Sequence, residues 1–399
     1  MAHTTAPAST PAETSWRAAH ARVSVGYAFF FAGIAAFTPY AAVYYRGLGF
    51  AGWQVGLLTS MPAIAMILTG AFWGALADTR AAHRTLWRAA TASSAVLAFV
   101  ASRFDTFGML LVWITLLSLT TVPLRSLIDH YAVTIGEHVG KPFGRIRLWG
   151  AFGYSAFVLT LGRIMSAEVT RVFLVAYAIA LAATLVVTWR LPRLDRRTPH
   201  RLLDGIADVW ASRSFRLLLL FALVQATLHF AIVVSLAVHI HAGGGNNGHV
   251  GAAFAVAALS ELPVFMAGAW LVRRLGHVRL LTMVGVLWTV RMLLLALITA
   301  PVGVILLQAL HGVTFGAYLV SAVPFARQVA GREHPATAQA VLTLASFGLG
   351  TITGSMLASI LMAQMSTRTI YVGLAIAMAF VTVVHGLGQR RLLRRAPLS

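Results

Sequence analysis

Twelve apolar runs, most of them about 20 residues long, constrain this chain more than any other feature. Each is long enough to carry an α-helix across the hydrocarbon core of a bilayer. They lie at 22–45, 53–76, 86–102, 107–131, 143–166, 170–190, 214–240, 249–272, 278–299, 302–327, 336–363 and 367–387. Hydrophobic residues make up 59% of the 399, charged residues 11%, and the mean hydropathy is +0.80. A soluble globule of this size is not that apolar. The fold class is therefore an all-α membrane protein of twelve transmembrane helices, embedded in the lipid bilayer.

The net charge of +20 invites a nucleic-acid reading, which the placement of the basic residues removes. Of 31 Lys and Arg, 24 fall in the N-terminal segment, the even-to-odd connections and the C-terminus. Five (Arg46, Arg103, Arg163, Arg171, Arg368) fall on the opposite side, and Arg125 and Arg291 lie within spans. The positive-inside rule then puts both termini in the cytoplasm. No nucleic-acid partner is expected. Without cysteine, the chain has neither disulfides nor thiolate metal sites. Residues 1–21, rich in Ala, Thr, Ser and Pro, read as a disordered cytoplasmic N-terminus.

The longest polar connection, 191–213, is arginine-rich and falls midway, splitting the spans into bundles over 22–190 and 214–387, with a basic C-terminus at 388–399. The halves echo each other. GALADTRAAHR from Gly74 parallels GAWLVRRLGHVR from Gly268, and TVPLRSLID around Pro123 parallels AVPFARQVA around Pro324. An internal six-helix duplication explains both echoes, giving two six-helix bundles with pseudo-two-fold symmetry.

Three ionisable residues sit in consecutive apolar runs: Glu261 in 249–272, Arg291 in 278–299 and His311 in 302–327. Charge at mid-bilayer costs roughly 2.5 to 3.5 kcal/mol per residue on insertion scales, so such residues mark ion or solute pathways. Glu261, if left without a partner, is a candidate proton carrier. A structural hydrogen bond, or an ion pair to Arg291 that fixes packing, is the alternative. His311 can donate or accept, and a satisfied helix-to-helix hydrogen bond is the plainer reading. Asp129 either captures Arg125 one turn away on its own helix or pairs with Arg147 across a cavity floor. Arg147 is otherwise an interfacial anchor, and Tyr154 either packs or stacks on a ring-bearing solute. Gln225, His229, Gln308 and Gln364 read as structural polar residues. Trp53, Trp113 and Trp270 read as interfacial anchors, and Gly348, Gly350 and Gly354 with Ser346 and Ser355 form small-residue faces for close helix contact.

Twelve spans, two similar halves and a central basic connection resemble the major facilitator superfamily, in which two bundles rock about a central site. The partial loop signature GALADTR implies a cytoplasmic gate with Gly74 and Asp78 in place. Within the superfamily, four local matches resemble the lactose permease, phenylpropionate permease and nucleoside:proton symporter group. FGRIRLWGAFGY (Phe143 to Tyr154) is similar to a fifth-helix motif that implies Arg147 and Tyr154 as solute contacts. Ser260-Glu261, Val290-Arg291 and Leu310-His311 are similar to eighth-, ninth- and tenth-helix residues used in substrate binding and proton coupling. Ser126 aligns with a fourth-helix substrate acid, with Asp129 one turn on. The permease's proton-carrying glutamate is replaced by Thr314, and Lys141 is the sole lysine, which argues against lactose itself.

The resemblance implies a monomeric secondary transporter of a small molecule, coupled to protons and driven by their gradient, with no cofactor, metal or enzymatic activity. An aromatic or small carboxylate is the expected solute, then a nucleoside or glycoside. Proton-driven efflux on the same fold is the alternative, and a membrane-embedded enzyme or sensor a remote one.

Overall fold

The computed structural model describes residues 11–79, 83–165, 170–194, 205–330 and 334–395. The helices are α1 (Pro11–Phe37, followed by a short helix Ala41–Gly47), α2 (Gly52–Thr79), α3 (His83–Ala101), α4 (Phe107–His138), α5 (Phe143–Ile164) and α6 (Val172–Thr188). After a short helix Ile206–Ala211 come α7 (Arg213–Ala242), α8 (Asn247–Leu275) and α9 (His277–Leu297). The last three are α10 (Pro301–Val329), α11 (Pro335–Leu361) and α12 (Thr367–Arg395). Among the described residues nine helices are long and apolar enough to cross a bilayer. The other three of the twelve are α6, a 17-residue apolar helix, and α3 and α5, whose arginines lower their hydropathy.

Pairwise packing reveals the architecture. In the first half α1 packs on α5 and α6, α3 on α4 and α6, and α2 on α4. In the second half α7 packs on α11 and α12, α9 on α10 and α12, and α8 on α10. Advancing each helix of the first set by six gives the second set. The halves meet through α5 with α8 and α2 with α11, and the same advance exchanges these two contacts. That is the pairing a pseudo-two-fold axis requires.

Two boundary expectations need correction. Helix α1 begins at Pro11, inside the stretch read as disordered, because Pro suits a first helical position and the following Ala, Glu and Arg residues favour helix. At the other end α12 continues to Arg395 through the segment read as a basic tail, its arginines being good helix formers with no Gly or Pro stop.

α10 and α11 each contain one turn of π-helix, Gly312–Gly316 and Leu344–Leu349. Such turns insert a residue into the α register and recur at functional positions. Pro263, two residues beyond Glu261, removes one intrahelical bond from α8.

The two ends of the molecule differ. At the end carrying the α1–α2, α5–α6, α7–α8 and α11–α12 connections, glycines press on backbone of the opposite half. A Cβ on Gly162 would lie 2.5 Å from Asn247 O, one on Gly251 2.5 Å from Val158 O, and one on Gly52 2.5 Å from Ser359 O. Asn247 Nδ2 also donates to Met165 O at 2.6 Å. These contacts between the halves seal that end. Among the described residues, the glycines of the opposite end make no such contact: added Cβ atoms on Gly74, Gly144 and Gly276 would meet nothing within 4 Å, and those on Gly136 and Gly388 would meet only their own half.

Candidate functional site

The buried charge of Arg291 organises the centre of the second half. Its side chain is 1% exposed, yet its nitrogens form no ion pair with a carboxylate among the described residues. The fork instead donates to three neutral groups on α10. Nη2 reaches Gln308 Oε1 at 2.6 Å, while Nη1 reaches Thr314 Oγ1 at 3.1 Å and His311 Nδ1 at 3.2 Å. Trp288, one turn back on α9, has its ring 5.1 Å from the guanidinium carbon, within cation–π range.

His311 links this cation to the acid. A guanidinium has no acceptor, so Nδ1 of His311 accepts from Arg291 and the imidazole hydrogen sits on Nε2. From there it donates to Glu261 Oε1 at 3.1 Å. The order is Arg291, His311, Glu261, a charge-assisted chain in which the neutral imidazole separates the two charges. The direct Glu261–Arg291 pair weighed from the sequence is absent because the ring stands between them. His229 stacks on His311 and Phe315, with ring centroids 5.4 and 4.2 Å apart.

The π-turn sets the register of this chain. It begins just after His311 and presents Thr314 to Arg291. Gly312 N donates to Ser260 Oγ at 2.8 Å, beside Glu261. A Cβ on Gly312 would collide with Ser260 O, and one on Gly316 would lie 3.8 Å from the Cα of Glu261. These two glycines bring α10 against α8 where the His311–Glu261 bond forms.

Toward the first half, Phe265 lies one turn beyond Glu261 on α8, and the Arg147 guanidinium of α5 sits 5.0 Å from its ring centre. Tyr154, two turns beyond Arg147 on α5, is partly buried against the core. Asp129 does not pair with Arg147. Its Oδ2 takes Arg125 Nε at 3.1 Å and its Oδ1 accepts from Tyr27 OH at 2.7 Å, the local option that i, i+4 spacing offers. Ser126 is exposed, its hydroxyl donating to Pro123 O at 3.2 Å. Gly74 is exposed on α2; the side chain of Asp78 lies outside the described residues.

The sequence reading left Gln308 and His229 as structural and gave Phe315 and Phe265 no part. Gln308, at i−3 from His311, and Thr314, at i+3, share a helix face with it, which is the signal that finds the arginine's partners.

The family model described as MFS_1 like family matches residues 20–372. The chain belongs to that family. A maltose permease of Geobacillus stearothermophilus is 29% identical over 304 residues, covering 75% of this chain and 76% of the permease. A probable 3-phenylpropionic acid transporter of Escherichia coli K12 is 23% identical over 319 residues, covering 78% and 82%. Among solved structures, a mutant of the nucleoside transporter NupG superposes with a TM-score of 0.84 at 17% identity, covering 92% of this chain and 99% of that one. This member of the MFS_1 like family is a multi-pass membrane transporter of a small molecule with the major facilitator fold, and such transporters need no cofactor.

Proposed function

We propose that the protein takes up a small ring-bearing organic solute together with a proton by alternating access, across a bacterial inner membrane and with both termini cytoplasmic. The observation that carries this reading is the Arg291–His311–Glu261 chain in the membrane core. With Glu261 ionised, the Nε2–H of His311 donates to a carboxylate, and the charges of Arg291 and Glu261 balance. With Glu261 protonated, that balance is lost, and Arg291 keeps its charge because a guanidinium does not release its proton. Protonation of one side chain therefore changes the electrostatics of a site where three helices meet.

Solute recognition connects to this chain through α8. Glu261 and Phe265 lie one turn apart on it, and Phe265 meets Arg147 across the boundary between halves. A carboxylated ring bound by Arg147 and stacked against Tyr154 alters the α5–α8 contact that closure needs. The sealed end corresponds to the outside and the opposite end to the cytoplasm, since the opposite end carries the basic connections. Asp78 and Gly74 belong to the gate at that cytoplasmic end, and Ser126 and Asp129 are further candidates for solute binding. Residues 22–190 and 214–387 act as the two rocking bodies, in a monomer.

An aromatic or small carboxylate is the favoured solute because Arg147 presents a guanidinium beside the Phe265 ring, 5.0 Å from its centre. Glycosides are the second reading, favoured by the 29% identity to a maltose permease. The test is external pH in lightly buffered, de-energised cells on adding aromatic acids, nucleosides and glycosides in turn. Alkalinisation with one class supports proton symport and names the class; silence with all three, at intact membrane expression, overturns the reading.

A further inference from the structure

Behind Arg291, away from α10, the second half holds polar atoms that no protein group satisfies. On α7, α9 and α12, among the described residues, these are Arg291 Nε, Trp288 Nε1, both amide atoms of Gln225 and both ring nitrogens of His385, each with almost no accessible surface; Ser359 Oγ on α11 is a further one outside this group. The four residues are no more than 1% exposed. A buried donor or acceptor left unpaired costs about 1 to 3 kcal/mol, so six such atoms in one core are not neutral packing.

Their placement is continuous. Phe221, Gln225 and His229 follow one another at four-residue spacing on one face of α7. The Phe221 ring is 4.8 Å from His385 on α12, and the His229 ring is 6.4 Å from Trp288 on α9. Gln225 therefore lies between the ring that meets His385 and the ring that meets Trp288. Trp288 leads on to Arg291. Beyond His385, one turn further on α12, Gln389 bonds Ser214 at the end of the bundle where α7 begins and α12 finishes. α9 and α12 are brought together by Gly285 against Thr382 and Gly386 against Thr282. The orphaned atoms thus lie along a seam bounded by α7, α9 and α12, from Arg291 at mid-helix to His385, one turn short of the bonded Ser214–Gln389 pair.

We infer that this seam binds a file of ordered water molecules, separate from the cleft between the two halves, from Arg291 past Trp288, Gln225 and His385 to the Ser214–Gln389 end. The chemistry favours water over any larger ligand. Both donors and acceptors are orphaned, they are spread along helices, and buried water characteristically makes two to four bonds to such groups. Arg291 is the junction: its two terminal nitrogens serve Gln308, Thr314 and His311, and its Nε–H serves the seam. Where Glu261 carries the coupled proton, as proposed above, water on this side solvates the guanidinium charge that the neutral acid no longer balances.

The test is hydroxyl-radical footprinting by synchrotron radiolysis of the purified full chain in nanodiscs, which oxidises side chains beside bound water even when they are buried. Trp87 is the internal control, because it is 1% exposed like the 0% exposed Trp288 but its Nε1 donates to Thr188 Oγ1 at 2.8 Å. Trp288 is expected to label faster than Trp87, and Gln225→Leu or His385→Phe to lower its rate toward that of Trp87. Equal rates in the unmutated protein overturn the seam without requiring any variant to fold. Fast labelling unaffected by either substitution also overturns it, since the water then reaches Trp288 from the cleft. Labelling is independent of transport, so failure of proton coupling in the cell assay leaves this result standing.

Discussion

His311 Nε2 lies 3.1 Å from Glu261 Oε1, with side-chain exposures of 10% and 18%. Because Arg291 occupies the other ring nitrogen, this one bond connects the buried cation of α9 to the acid of α8. Its state depends on whether Glu261 holds a proton.

Glu261→Gln keeps the size and hydrogen-bonding capacity of the side chain and removes its titration. The expected outcome is loss of solute-driven alkalinisation, with energy-independent counterflow of solute retained. Normal alkalinisation in this variant would remove Glu261 from the coupling role.

Arg291→Lys replaces a planar fork with a point donor, which cannot reach Gln308, His311 and Thr314 together. Each lost bond to the charged group is worth about 1.5 to 3 kcal/mol. Thermal unfolding of the purified variant should show a clear fall in Tm, and an unchanged Tm would mean that the fork is not what holds α9 to α10.

Gly312→Ala sets a methyl group against the carbonyl of Ser260. Overpacking of this kind costs about 1 to 3 kcal/mol, and here it also forces α10 away from Glu261. Lower Tm and lower uptake are expected together, whereas Gly74→Ala, which meets open space inside α2, should not lower the Tm.

Gly251→Val drives a side chain into Val158 O and so wedges the sealed end. The chain has no cysteine, so a Tyr154→Cys reporter is the sole thiol. In that background the wedge should increase labelling by a membrane-impermeant maleimide added from outside the cell. No increase would place the seal elsewhere.

Arg147→Lys keeps the charge and loses the planar donor pair that suits a carboxylate. Solute affinity should fall while maximal rate is largely kept, read from uptake against concentration. Unchanged affinity would leave Arg147 as a structural contact to Phe265.

The local character of hydropathy explains how much was legible before any fold was known. A run of apolar residues must cross the bilayer as a helix, because its backbone groups find no partners in lipid other than one another. That requirement acts on each segment separately, so twelve spans, the basic face and the three ionisable residues could all be read along the chain. The two corrected helix ends lie in polar stretches beyond the apolar runs, where the hydropathy pattern carries no boundary.

The amino-acid sequence by itself determined that this is a twelve-span membrane protein with an acid, a cation and a histidine in successive helices. Which of them touch was decided by tertiary structure. Asp129 was equally able to reach Arg125 or Arg147, and the side on which Tyr27 packs selected Arg125. Glu261 and Arg291 have opposite charges thirty residues apart, yet the π-turn after His311 places an imidazole between them. Helix rotation and register are set by contacts such as Gly312 on Ser260, between residues 52 positions apart, and no pattern within one segment encodes them.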